Sequence, residues 1–142
     1  MITEFTDRRP ALSAVMIALL FTLVPGAFML ITDLASGGTW NSPVIVFVYA
    51  LVLQLILWLT VESPALIMLP FVMALLGFIA SEIVYTVSLG MTPVGQGPGI
   101  LAFLFSSAVV TLFGAEASGS VGGLLLYAVI VIARKLRELI AR

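Results

Sequence analysis

Apolar residues run along this chain in long blocks, and most of its charged residues sit at the ends or in the short breaks between blocks. The first block, Ala11 to Ile31, follows a polar lead containing Glu4, Asp7, Arg8 and Arg9. A second runs from Val44 to Val61, and a third from Pro64 to Leu89. About 20 apolar residues at 1.5 Å rise cross a hydrocarbon core of about 30 Å, so each block predicts one membrane-spanning helix. The last third, Gly99 to Ala133, is nearly all apolar apart from Glu116. As one helix it would be roughly 52 Å long, too long for one crossing. The stretch Glu116-Ala117-Ser118-Gly119-Ser120 reads as a turn that divides it in two. A competing pattern keeps it helical, because Ala115, Gly119 and Gly123, with Gly122 beside them, repeat as a small-residue face suited to close helix packing.

The pattern therefore predicts an all-α polytopic membrane bundle of five transmembrane helices, with four as the alternative. Residues 1–142 form a single transmembrane domain, with spans at about 11–32, 44–61, 65–89, 99–115 and 120–136. Five spans place the N-terminus outside and an amphipathic tail, 134–142, in the cytoplasm. Four spans would gather every Lys and Arg on one side, a stronger charge bias. Arg8 and Arg9 ahead of an apolar run imitate a signal peptide, but the run is too long and lacks a small-residue cleavage site, so a retained helix is expected.

Punctuation refines these spans. Pro25 and Pro70 fall inside blocks and predict kinks, since each removes the amide that would bond the carbonyl four residues back. Asn41-Ser42-Pro43 and Glu62-Ser63-Pro64 are helix starts, with the serine as cap and the proline at the first helical position. The second and third spans thus form a tight antiparallel hairpin. Gly90 to Gly99 is a Gly/Pro-rich break. Its Val94-Gly95-Gln96-Gly97 has a superficial likeness to a backbone-carbonyl ion filter, but Pro93 interrupts it and a solvated turn is the better reading.

Composition agrees with the pattern: 62% of the 142 residues are hydrophobic and 9% charged, against about a quarter charged in a soluble domain. Cysteine and histidine are absent, which removes disulfides, thiol redox chemistry and the usual zinc and copper ligand sets. Between Arg9 and Arg134 every charge is acidic: Asp33, Glu62, Glu82 and Glu116. Basic residues are confined to the ends, so no nucleic-acid interface is expected. Arg134, Lys135, Arg137 and Arg142 suit anionic headgroups instead.

Glu82 stands out chemically, because a span centred on 65–89 places it about 7 Å from the bilayer midplane. An acid at that depth faces protein or water. Tyr85 and Thr86 lie three and four residues on, while Gln54, Ser107 and Thr111 are the polar residues of neighbouring spans. Together they define a candidate site for a proton, a cation or a partner. Three readings stay open: Glu82 carries a proton or cation, forms a hydrogen bond between helices as a neutral acid, or pairs with a cation of another chain. Asp33, Glu62 and Glu116 are expected at solvated loops or helix ends. No spacing assembles a catalytic pair, a metal site or a cofactor motif, so no enzyme, metal or cofactor is expected. The leading expectation is a non-enzymatic integral protein of the cell membrane acting in an assembly, as a homo-oligomer or as a small subunit with other membrane chains. The alternative is a proton- or cation-coupled carrier or channel using Glu82.

Overall fold

The structure is a computed structural model that describes residues 8–36, 41–91 and 100–141. Side chains at 33–34, 36, 41–42, 85, 88–89, 91 and 100–108 lie outside that description, as do residues 37–40 and 92–99, with most of the break read at Gly90 to Gly99 and its Val94–Gly97. Four helices follow in order: α1 (Pro10–Ser36), α2 (Asn41–Thr60), α3 (Pro64–Met91) and α4 (Ile100–Ile140), with no strand among the described residues. Pro64 opens α3 as its sequence context predicts, and the carbonyl of Ser63 accepts the first bond, from the Ile67 amide at 3.1 Å. In α2 the helix begins at Asn41, and the Ser42 side chain expected to cap it lies outside the described residues. Pro25 and Pro70 both sit inside continuous helices.

The five-helix expectation is corrected to four. The segment 116–120 is not a turn: α4 runs unbroken for 41 residues, roughly 61 Å, joining the spans expected at 99–115 and 120–136. Two physical terms favour the helix. A turn there would expose backbone amides and carbonyls inside the apolar layer, at several kcal/mol for each unsatisfied group. The helix satisfies them internally, and its glycines lie against α2 instead of opening a loop.

Contacts fix the register. A Cβ on Gly119 would meet the backbone of Phe47 and Leu51, one on Gly123 would meet Leu51 and Gln54, and the rings of Trp58 and Tyr127 stack with centroids 5.0 Å apart. Residue numbers rise together along the two helices, so α2 and α4 are parallel. Phe113 lies against Gly77 and Phe78 against Gly114, whereas Met68 shares a cavity wall with Leu124, so α3 is antiparallel to α4. The Tyr49 hydroxyl donates to Leu20 O at 2.9 Å and ties α1 to α2. The result is an up-down-up-down bundle.

The hairpin partners α2 and α3 touch little, because α4 lies between them and makes the most extensive contacts with both. Small residues permit this position, since Gly114, Ala115, Gly119 and Gly123 bring its backbone close to its neighbours. One apolar layer holds Phe21, Ala50 and Ala74, with Ala117 of α4 packed on it. A second, towards the α2–α3 turn, joins Ile17, Leu57, Val61, Leu66 and Ile67.

Outside these layers the surface is apolar: Leu23, Leu30, Val44, Leu76, Leu125 and Val129 are all exposed. A soluble monomer rarely exposes apolar area on that scale. Four helices are long and apolar enough to cross a membrane, which is the architecture of a multi-pass membrane protein. Since Trp58 is level with Tyr127, residues 131–140 of α4 continue for roughly 15 Å past the end of α2.

The start of α1 and the end of α4 lie at the same end of the bundle as the α2–α3 turn. Four crossings in place of five remove the basis for an N-out, C-in arrangement, because an even number of crossings returns the chain to the side on which it started. Accessibility tags at residues 2 and 142 are expected to report the same side of the membrane. Labelling from opposite sides would require an odd number of crossings and contradict the four-helix bundle.

Candidate functional site

Glu82 does not occupy the middle of the bundle. Phe78 and Pro43 line one groove, so Phe78 is already level with the start of α2, and Glu82 lies a further turn beyond it. The sequence pattern places Glu82 near the middle of its span, whereas in the bundle it lies beyond the level at which α2 starts. Glu82 is half-buried there, and the Thr86 hydroxyl donates to the Glu82 backbone carbonyl at 2.8 Å rather than to its carboxylate. Thr111 is exposed on α4. Tyr85 and Ser107 lie on α3 and α4 with side chains outside the described residues. Gln54 is not part of this group, because it bonds to Ile67, which is 15 residues and roughly 22 Å along α3 from Glu82.

The acid inside the bundle is Glu116. It is expected at a solvated turn, yet its exposure is 0%. Both carboxyl oxygens are buried without a hydrogen-bond partner among the described residues. Its neighbour Ala117 packs on the Phe21–Ala50–Ala74 layer, and Ala50 is at the middle of α2, so Glu116 lies about halfway through the bundle. Correcting the turn to helix explains the change. On a continuous α4, Glu116, Ser120 and Gly123 form one stripe at spacings of four and three residues, the stripe that faces the interior.

One turn from Glu116, Ser120 reaches a cavity of about 40 Å³ lined also by Gln54, Trp58, Met68, Phe71, Val121 and Leu124. Gln54 is 1% exposed and Ser120 2%. Gln54 Nε2 donates to Ile67 O at 2.7 Å. A carbonyl oxygen can only accept, so this bond settles which way the amide points and leaves Gln54 Oε1 facing elsewhere. Ile67 lies in the turn before Pro70, whose ring nitrogen cannot bond Leu66 O. Gln54 Oε1, Trp58 Nε1 and Ser120 Oγ are all buried without a partner among the described residues.

The small-residue face divides. Gly119 and Gly123 are buried against α2 of the same chain, Gly122 lies beside Leu51, and Ala115 lines an open groove of about 470 Å³ with Pro43, Val44, Phe47 and Ser118. The seam at Gly119 and Gly123 is therefore internal. Among the described residues no three acidic, histidine or cysteine side chains converge as a metal site would need. Glu116 and Trp58 are absent from the residues that the sequence singles out as a site. A signal compatible with the position of Glu116 is present in the small-residue repeat, the competing pattern that keeps the segment helical and places Glu116 on one stripe with Ser120.

Fold and site together define the class: a bundle of four helices long and apolar enough to cross a membrane, with an acid buried halfway along it, one turn from a small, largely apolar cavity. Compared with known proteins, the chain matches no family model, no curated protein and no solved structure.

Proposed function

We propose that the chain is a non-enzymatic integral protein of the cell membrane that binds and releases protons inside its bundle, with Glu116 as the exchanging group. One observation carries the reading: Glu116 is fully buried at mid-depth, and neither carboxyl oxygen has a partner among the described residues. An acid that serves the fold would use its oxygens to tie helices together. A buried carboxyl without such bonds is costly, and costly intramembrane acids mark ion and proton pathways. A single proton removes an unpaired charge without the several ligands that a metal cation requires. Glu116 takes the role that the sequence suggests for Glu82, which lies near the bundle end.

The orientation follows from charge. Arg8, Arg9, Arg134, Lys135 and Arg137 gather at the end with the α2–α3 turn, so that end faces the cytoplasm. There the projecting part of α4 lies within reach of anionic headgroups, each basic residue contributing about 1 kcal/mol.

Protein reconstituted in liposomes tests the proposal. The wild type is expected to pass protons down a pH gradient. Glu116→Gln keeps shape and hydrogen-bonding capacity but cannot exchange a proton, so it should abolish the flux, whereas Glu82→Gln should retain it. Equal flux from wild type and Glu116→Gln would defeat the reading.

A second reading, membership of an assembly with copies of itself or other membrane chains, is favoured by Glu82. It is half-buried near the far end of α3, within reach of a partner, and this chain has no basic residue between Arg9 and Arg134 to pair with it. A chain that co-purifies with wild type and is lost with Glu82→Gln would support that reading.

A further inference from the structure

We propose that the cavity between α2, α3 and α4 is a water-binding site, in which one or two ordered molecules bridge Gln54, Trp58 and Ser120. Three observations converge on it. The space is about 40 Å³, against the roughly 10–15 Å³ that one water needs. Three orphaned polar atoms, Gln54 Oε1, Trp58 Nε1 and Ser120 Oγ, belong to residues of its wall. Gln54 and Ser120 are almost wholly buried, so bulk water does not satisfy them. Such a group costs free energy unless something polar reaches it, and a bridging water makes about three such bonds.

The pattern of donors and acceptors selects the ligand. The indole Nε1 of Trp58 can only donate, so the occupant must accept. Gln54 Oε1 can only accept, because the bond from Nε2 to Ile67 O fixes the amide, so the occupant must also donate. A bare metal cation cannot accept from the indole, and a halide cannot donate to the amide oxygen. Water does both, and the Ser120 hydroxyl adapts to either role. Met68, Phe71, Val121 and Leu124 complete the wall and leave few other polar partners, which holds the water in one place.

This site stands on its own geometry, whether or not Glu116 exchanges protons. If Glu116 does, the water gains a second meaning. Ser120 is on the same stripe as Glu116, one turn away, and Trp58 lies one turn nearer the basic end than Gln54. Hydroxyl and water would then extend a hydrogen-bonded route from mid-membrane towards that end.

Water-selective NMR on indole-labelled protein in detergent micelles tests the site. The chain has two tryptophans, and Trp40→Phe leaves Trp58 as the only indole. The expected result is a cross-peak between the Trp58 N–H and water whose sign, compared in the laboratory and rotating frames, identifies a long-lived molecule. Ser120→Val fills the cavity and removes a hydroxyl, and should reduce that peak at least fivefold. Absence of the peak in the Trp40→Phe protein, or a sign typical of bulk water, would overturn the proposal. So would an undiminished peak in a folded Ser120→Val protein. If that variant does not fold, the parent measurement alone decides.

Discussion

Gly119→Val is expected to lower the stability of the bundle by roughly 3 kcal/mol, read as a fall in thermal midpoint in detergent. A Cβ at this position would overlap the carbonyl oxygen of Phe47, and would stand 2.7 Å from Ala50 Cβ and 3.0 Å from Leu51 N. None of these atoms belongs to a flexible side chain that could rotate away. Relief requires α2 and α4 to separate, and that interface is the most extensive in the molecule. Separation would also loosen the contact at Gly123, whose Cβ would lie 2.8 Å from Leu51 O. Gly90→Ala is the control, because nothing lies within 4 Å of a Cβ at Gly90, and its effect should stay within about 1 kcal/mol. If the two variants melt together, α4 does not lie on α2 as described.

Replacing Glu116 with methionine is expected to do the opposite and stabilise the protein by about 1–3 kcal/mol. Methionine has similar length, adapts to irregular space, and carries no group that demands a hydrogen bond. The free energy recovered is the desolvation cost of a carboxyl whose oxygens have no partner among the described residues. Proton flux should vanish in the same variant, so stability and activity move in opposite directions. This pairing distinguishes a functional acid from a structural one: an acid that tied helices together would lose stability on becoming methionine. A lowered midpoint for Glu116→Met would therefore assign Glu116 to the fold and remove the basis for its proposed role.

The two acids illustrate where sequence information stops. Glu82 lies in an unbroken apolar run, which reads as mid-membrane if the run is centred on the bilayer. In the bundle, Phe78 is already level with the start of α2, so Glu82 lies a turn beyond that level, and a residue's level depends on how the neighbouring helices pack. Glu116 is flanked by Ser118, Gly119 and Ser120, residues with the local character of a turn. Small and hydroxylic residues serve equally well where two helices come close, and nothing local separates the two uses. Gln54 was legible as a polar residue at mid-span, but its bond to Ile67 links two helices whose pairing at that level only packing determines.

The amino-acid sequence by itself determines the helical class of this protein and the number of its apolar blocks, but not where the last helix ends. Its apolar blocks are long enough to cross a bilayer, and a backbone in lipid satisfies its polar groups most simply as helix, so an all-helical membrane architecture follows. The helix start at Pro64, the basic residues towards both ends and the absence of histidine and cysteine are equally local facts. Tertiary structure alone decides that α4 is one helix, that it lies between α2 and α3, and that Glu116 rather than Glu82 is enclosed. The reason is that burial in an apolar helix cannot be read from hydrophobicity, since lipid-facing and core-facing surfaces are almost equally apolar. What selects the inward face of α4 is the fit of Gly119 and Gly123 against the backbone of α2, and that fit exists only once the helices have packed.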